Sequence, residues 1–208
     1  MTGRTVLFIL RDMNCRHERD LCADLRRDGS GWRTWNNIGR WTKALLDGDG
    51  EYPWDMSSPS RAAQLRRVAV MNLKKEGGGS RASGSQLLDA VQMQHGKILE
   101  EICLCDPGMI ICCGLASSGD QREMLPCLKI MYCRFQRNGH PSSPGPLTGT
   151  WQYYFTEINK KQIPVISFCH PQVTNLNCSR GHENLFIPLF QDMLYIKELF
   201  LKNTAGSE

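Results

Sequence analysis

The chain has 208 residues, ten cysteines, a formal net charge of +4 and 41% hydrophobic residues. At that length one domain over residues 1–208 is expected, and such a domain buries roughly 70% of its unfolded surface without metal or disulfide staples. Charged residues make up 22% of the chain, close to the globular norm, which excludes extended disorder. The apolar runs fall far short of the roughly 20 residues that span a bilayer. The apolar stretch ahead of Arg11 and Asp12 is too short for a secretory signal. A soluble, cytoplasmic and monomeric protein with no membrane partner is the expectation.

In chain order, VLFIL at 6–10 is the first predicted strand, a β-branched and aromatic run that suits a buried parallel strand. Arg11, Asp12, Met13 and Asn14 follow it. Residues 32–46 predict a helix with Trp35, Ile38, Trp41 and Leu45 along one face. A second strand, VAVM at 68–71, ends at Asn72 and leads through Lys74 and Lys75 into a loop, EGGGSRASGS at 76–85. Residues 85–104 predict one amphipathic helix, with apolar residues at 87, 88, 91, 98 and 102 and serines to cap it. A third strand, MIICC at 109–113, ends at Gly114. Residues 129–135 predict an extra or edge strand, and GHPSSPGPLTG at 139–149 a loop. IPVISF at 163–168 is the last strand and delivers Cys169, His170, Pro171 and Gln172. A helix over 188–201 closes the chain, with Pro188 in its first turn. Strands alternating with helices indicate a three-layer α/β domain with a mostly parallel sheet.

Cys112, Cys113 and Cys169 lie in or just after strands, where a reduced thiol behaves as a small hydrophobe. Cys103 and Cys105 form C-x-C, and the pairs Cys15/Cys22 and Cys127/Cys133 are more widely spaced. None reproduces the CxxC…CxxC spacing of zinc or ferredoxin sites. No metal and no cofactor is expected, and a metal or cluster protein stands as a lesser alternative.

Open parallel sheets bind ligands at the carboxyl ends of their strands. Asp12, Asn72, Gly114 and His170 each follow a predicted strand. Alone, Asp12 reads as a helix cap, Asn72 as a turn residue and His170 as a core histidine. Their convergence on one sheet edge favours a site. In this order and at these intervals the pattern resembles the uracil-DNA glycosylase superfamily, most specifically in VAVMNLKK (68–75), DPGMIICCG (106–114) and IPVISFCHPQ (163–172).

The resemblance extends from residue 6 to about residue 201 and implies a three-layer α/β/α sandwich around a mostly parallel four-stranded sheet. It implies that Asp12 positions or activates the attacking water, that Asn72 reads the edge of the extruded base, and that His170 stabilises charge on the departing base. Asn14 joins the base-binding candidates. The chain departs from the superfamily pattern at RDMN (11–14) and at His-Pro-Gln, where His-Pro-Ser is usual. A rival His-Pro-Ser stands at His140, but it lacks a buried strand to anchor it.

Breaking an N-glycosidic bond places positive charge on the sugar and negative charge on the base. A carboxylate stabilises the first, and a donor aimed at the base carbonyl stabilises the second. An asparagine supplies a paired donor and acceptor for a pyrimidine edge, and a base in duplex DNA must first be flipped out. Trp32, Trp35 and Trp41 are candidates to stack on that base, with helix packing the expected role of at least two. Leu176 is a candidate wedge or a core residue.

The glycine loop lacks the G-K-[ST] ending of a nucleotide-hydrolysing P-loop. With Lys74, Lys75 and Arg81 beside it, the loop suits contact with a DNA phosphate, and a plain solvated loop is the equal alternative. Gln172 is a further DNA-contact candidate. Of the 25 basic residues, 16 fall in the first half, which permits a local basic face.

The leading expectation is a cofactor-free, monofunctional DNA glycosylase that removes a modified pyrimidine. Some superfamily members that this sequence resembles remove bulky modified cytosines from phage DNA as a bacterial defence, which makes glucosylated hydroxymethylcytosine in phage DNA, removed as an antiviral defence, a candidate substrate here. Uracil excision in base-excision repair is the alternative activity, and a non-catalytic nucleic-acid-binding module the alternative class.

Overall fold

The first apolar run forms β1 (Thr5–Asp12). The computed structural model describes residues 5–12, 32–48, 51–75, 83–115, 152–172, 175–178, 181–184 and 186–200. After β1 come α1 (Arg33–Leu46), α2 (Ser58–Leu65), β2 (Ala69–Lys74), α3 (Gly84–Met93) and α4 (His95–Cys105). They are followed by β3 (Pro107–Cys113), β4 (Gln152–Ile158), β5 (Lys161–Phe168), β6 (Asn175–Cys178), β7 (Gly181–Asn184) and α5 (Phe186–Phe200). The elements group into two compact units, one holding β1 to β5 with α3 and α4, the other α1, α2, β6, β7 and α5.

The first unit is a mixed, mostly parallel five-stranded sheet in the order β2-β1-β3-β5-β4, flanked by helices. The strands β2, β1, β3 and β5 run parallel, and β4 pairs antiparallel with β5. The expected four-stranded sheet therefore gains a fifth strand at its edge. A two-residue loop makes this possible: Asn159 and Lys160 adopt φ of 49° and 63°, the left-handed pair whose twist matches an antiparallel hairpin. The strand expected over 129–135 lies outside the described residues.

Strand alternation sorts the sheet into two faces. Leu7, Ile9, Leu73, Ile110 and Val165 pack with Leu87 and Val91 of α3 and Ile98 and Ile102 of α4. Phe8, Leu10, Ile111, Ile166 and Phe168 occupy the other face and are also buried. Burial on both faces explains the unbroken apolar runs.

The single helix expected over 85–104 is two helices. Gln94 takes φ −104° and ψ 12°, closes α3 and opens α4. Gly96, a weak helix former, follows the break, while Leu87, Val91, Ile98 and Ile102 keep one apolar side toward the sheet. The capping serine is Ser83. Its Oγ accepts the Gln86 N–H at 3.2 Å, and Gln86 Oε1 accepts the Ser83 N–H at 2.9 Å, a reciprocal capping box.

In the second unit, α1 buries the predicted face of Trp35, Ile38, Trp41 and Leu45. Helix α5 starts at Phe186, which places Pro188 in its first turn, and buries Leu189, Phe190, Met193 and Ile196. The Tyr52 ring meets Phe190 edge-on at 5.5 Å. β6 and β7 form a separate hairpin in which Leu176 stands opposite Glu183. Among the described residues, no helix is long and apolar enough to cross a membrane.

Candidate active site at the carboxyl edge of the sheet

Parallel register brings the strand ends to one edge. Leu10 pairs with Asn72, Asp12 with Lys74, and Cys113 with Phe168. Arg11 is buried at the end of β1, and its Nη1 donates to the Gly114 carbonyl at 3.2 Å. The Gly114 N–H donates to the Phe168 carbonyl at 2.8 Å. Gly114 takes φ +68°, and a Cβ there would stand 2.7 Å from both Cβ and Cδ2 of His170. The half-buried His170 thus packs directly over a glycine that has room for nothing larger.

Arg11, Gly114 and His170 come from three different strand ends and meet here. Gly114 and His170 are both legible in the sequence as strand-end residues, whereas the strand-end pattern points to Asp12 rather than Arg11. The signal was an arginine directly following a buried apolar strand, since a buried guanidinium requires acceptors.

Asn72 lies inside β2 rather than at its end, because the strand continues to Lys74. It is 7% exposed. Among the described residues its amide has no hydrogen-bond partner, which leaves the donor and acceptor for another ligand. The backbone of Asp12 closes β1 opposite Lys74; its side chain lies outside what is described, as do Asn14, Arg81 and His140. Lys75 is ion-paired with Glu101 of α4, so its charge is already engaged. Lys74 is half-buried and has no ion pair among the described residues. Gln172 is exposed. Of the three tryptophans on or beside α1, Trp35 and Trp41 are buried and Trp32 is 60% exposed.

Sequence reasoning also missed Asn37. Its Nδ2 donates to the Pro171 carbonyl at 2.6 Å in a buried contact and so holds the proline of the His-Pro-Gln turn. The paired asparagines at 36 and 37 were the available hint, since asparagine is a poor residue for a helix interior.

At the end of β3, Cys112 and Cys113 are fully buried, whereas Cys169 after β5 is half-buried. Burial, with Cys169 and then Cys112 as neighbours, holds the Cys113 thiol well above its ordinary pKa. Cys103, Cys105, Cys112, Cys113 and Cys169 are not joined in disulfides. Among the described residues, no group of three His, Cys, Asp or Glu side chains comes together in a way that could hold a metal ion.

No protein-family model and no curated protein matches the chain. Among solved structures, it is distantly similar to a domain of unknown function (DUF1537) from Bordetella bronchiseptica, a domain-swapped dimer with bound citrate. That similarity has a TM-score of 0.36 and 10% identity, and covers 92% of this chain and 41% of that one. The chain thus spans less than half the length of the structure it matches, and the likeness assigns no family.

Proposed function

We propose that this chain is a monofunctional DNA glycosylase of the uracil-DNA glycosylase type, acting on a modified pyrimidine flipped out of DNA. The observation that carries the reading is the meeting of Arg11, Gly114 and His170 at the carboxyl edge of parallel strands, where open α/β sheets bind their ligands. A histidine held on rigid strand ends suits a preorganised donor to a leaving group. Asn72, nearly buried and with its amide unengaged by described residues, suits recognition of a base edge.

The roles follow the charges of the reaction. The C1′–N bond breaks as a water oxygen bonds to C1′; the bonding pair leaves with the base, the water gives up one proton, and the base anion takes one up from solvent. His170 donates to the base carbonyl as negative charge develops there. In this scheme Asp12 activates the water by accepting its proton and stabilises the positive sugar, Asn72 reads the base, and Lys74 neutralises a neighbouring phosphate. The three-layer α/β/α sandwich is the architecture that this reading carries. No cofactor takes part.

The test is incubation with single- and double-stranded oligonucleotides carrying uracil, hydroxymethylcytosine or glucosylated hydroxymethylcytosine, followed by scoring of alkali-labile sites. Strand breaks at a modified cytosine are the expected result. Substituting His170→Ala should slow them by about 100- to 1000-fold. Faster release of uracil would move the activity to base-excision repair. Absence of abasic product from every substrate would overturn the reading and leave the non-catalytic module.

A further inference from the structure

We infer that Arg11 and Gly114 form a positioning device for His170, an inference that rests on the glycosylase reading above. Two bonds hold Gly114 from opposite sides: its carbonyl accepts from Arg11 Nη1 at 3.2 Å, and its N–H reaches the Phe168 carbonyl at 2.8 Å. The first ties β3 to β1 and the second ties it to β5. Held in this way, residue 114 presents a bare Cα face at φ +68°, and the His170 side chain lies directly on it. Any Cβ there would fall 2.7 Å from two His170 carbons, a distance that packed atoms do not tolerate. The glycine is therefore a seat for the imidazole, and Arg11 holds the seat in place.

A buried guanidinium is costly to desolvate, and a water can satisfy a carbonyl at a strand end. What a guanidinium adds is a rigid span between two strands. A 1 Å displacement of a catalytic group costs about 100-fold in rate. Gly114 and Arg11 touch neither base nor sugar in this scheme and act only through His170.

The experiment measures single-turnover base release and DNA affinity for Gly114→Ala, Arg11→Met and Arg11→Lys, each in the native background and in the His170→Ala background. Gly114→Ala is expected to slow release by about 100-fold with DNA affinity unchanged. The same substitution should cost less than about twofold where His170 is already absent, because residues acting as a unit are not additive. Arg11→Met should follow the same pattern, with partial recovery in Arg11→Lys. Equal losses in both backgrounds, or a loss of DNA affinity that matches the loss of rate, would overturn the inference.

Thermal unfolding identifies a variant that does not fold, and the Arg11 pair then carries the test. If the native chain releases no base at all, the glycosylase reading has failed. The seat is then read directly from imidazole NMR signals of the five histidines. Movement of the His170 signals alone in Gly114→Ala or Arg11→Met supports the seat, and unmoved His170 signals overturn it.

Discussion

Three side chains at the sheet edge illustrate how little a residue's type says until its neighbours are known. His170 is a half-buried histidine after a strand, a place where core histidines also occur. What distinguishes it is the glycine beneath it, since only a residue without Cβ leaves room for the ring. Cys113 was legible as core filler, and burial does hold its thiol well above the ordinary value. A neutral thiol is a poor nucleophile. Brief alkylation of the native protein near pH 8, read by peptide mass spectrometry, should therefore leave Cys112 and Cys113 unmodified while unfolded protein labels at both. Rapid native labelling at Cys113 would contradict its burial. Asn72 was identified by its position after an apolar run, yet its place inside β2 came only from the strand's continuation to Lys74.

Elements whose ends are marked by local chemistry were readable, and those marked by tertiary pairing were not. The serine-rich start of α3 announced a cap, and Ser83 with Gln86 supplies one. Ser83→Ala should destabilise the protein by about 1 kcal/mol in urea unfolding, with little change in the slope.

Strand β4 carries Tyr153, Tyr154, Phe155 and Thr156, all favourable in strands, but its turn uses Asn159 and Lys160 instead of the familiar Asn-Gly pair. Contacts from outside the hairpin support that turn. Asn159 Nδ2 donates to the Cys103 carbonyl at 3.1 Å and to Asp106 Oδ1 at 3.0 Å, and Lys161 Nζ donates to Asp106 Oδ2 at 2.6 Å.

The hydrogen bond from Lys161, then that from Asn159, lowers the Asp106 carboxyl below its ordinary pKa of 3.8. A carboxylate with a lowered folded pKa contributes its stability above the unfolded value and loses it as pH falls through the folded one. The difference in Tm between the native chain and Asp106→Asn should thus be greatest near neutral pH and vanish in strong acid. A gap that widened on acidification would refute this assignment.

At the scale of the whole chain, the net charge of +4 says less about a nucleic-acid partner than the state of individual lysines. Lys75 already has Glu101, whereas Lys74 has no ion pair among the described residues. In the proposed function, DNA affinity falls as salt rises, and Lys74→Ala should reduce the slope of log K against log salt by about 1. Lys75→Ala should reduce it less, and the reverse order would remove Lys74 from the interface.

Composition and apolar periodicity alone determined that this is an α/β chain with a mostly parallel sheet. Burial on both faces of a parallel strand writes itself into a continuous apolar run. They also determined the buried face of α1 and the capped start of α3, because helix period and caps are local. Tertiary structure decided the fifth strand, the break at Gln94 and the meeting of Arg11 with Gly114 and His170. Arg11 and Gly114 are 103 positions apart. Only the strand order β1-β3-β5 makes them neighbours, and no local pattern encodes that order.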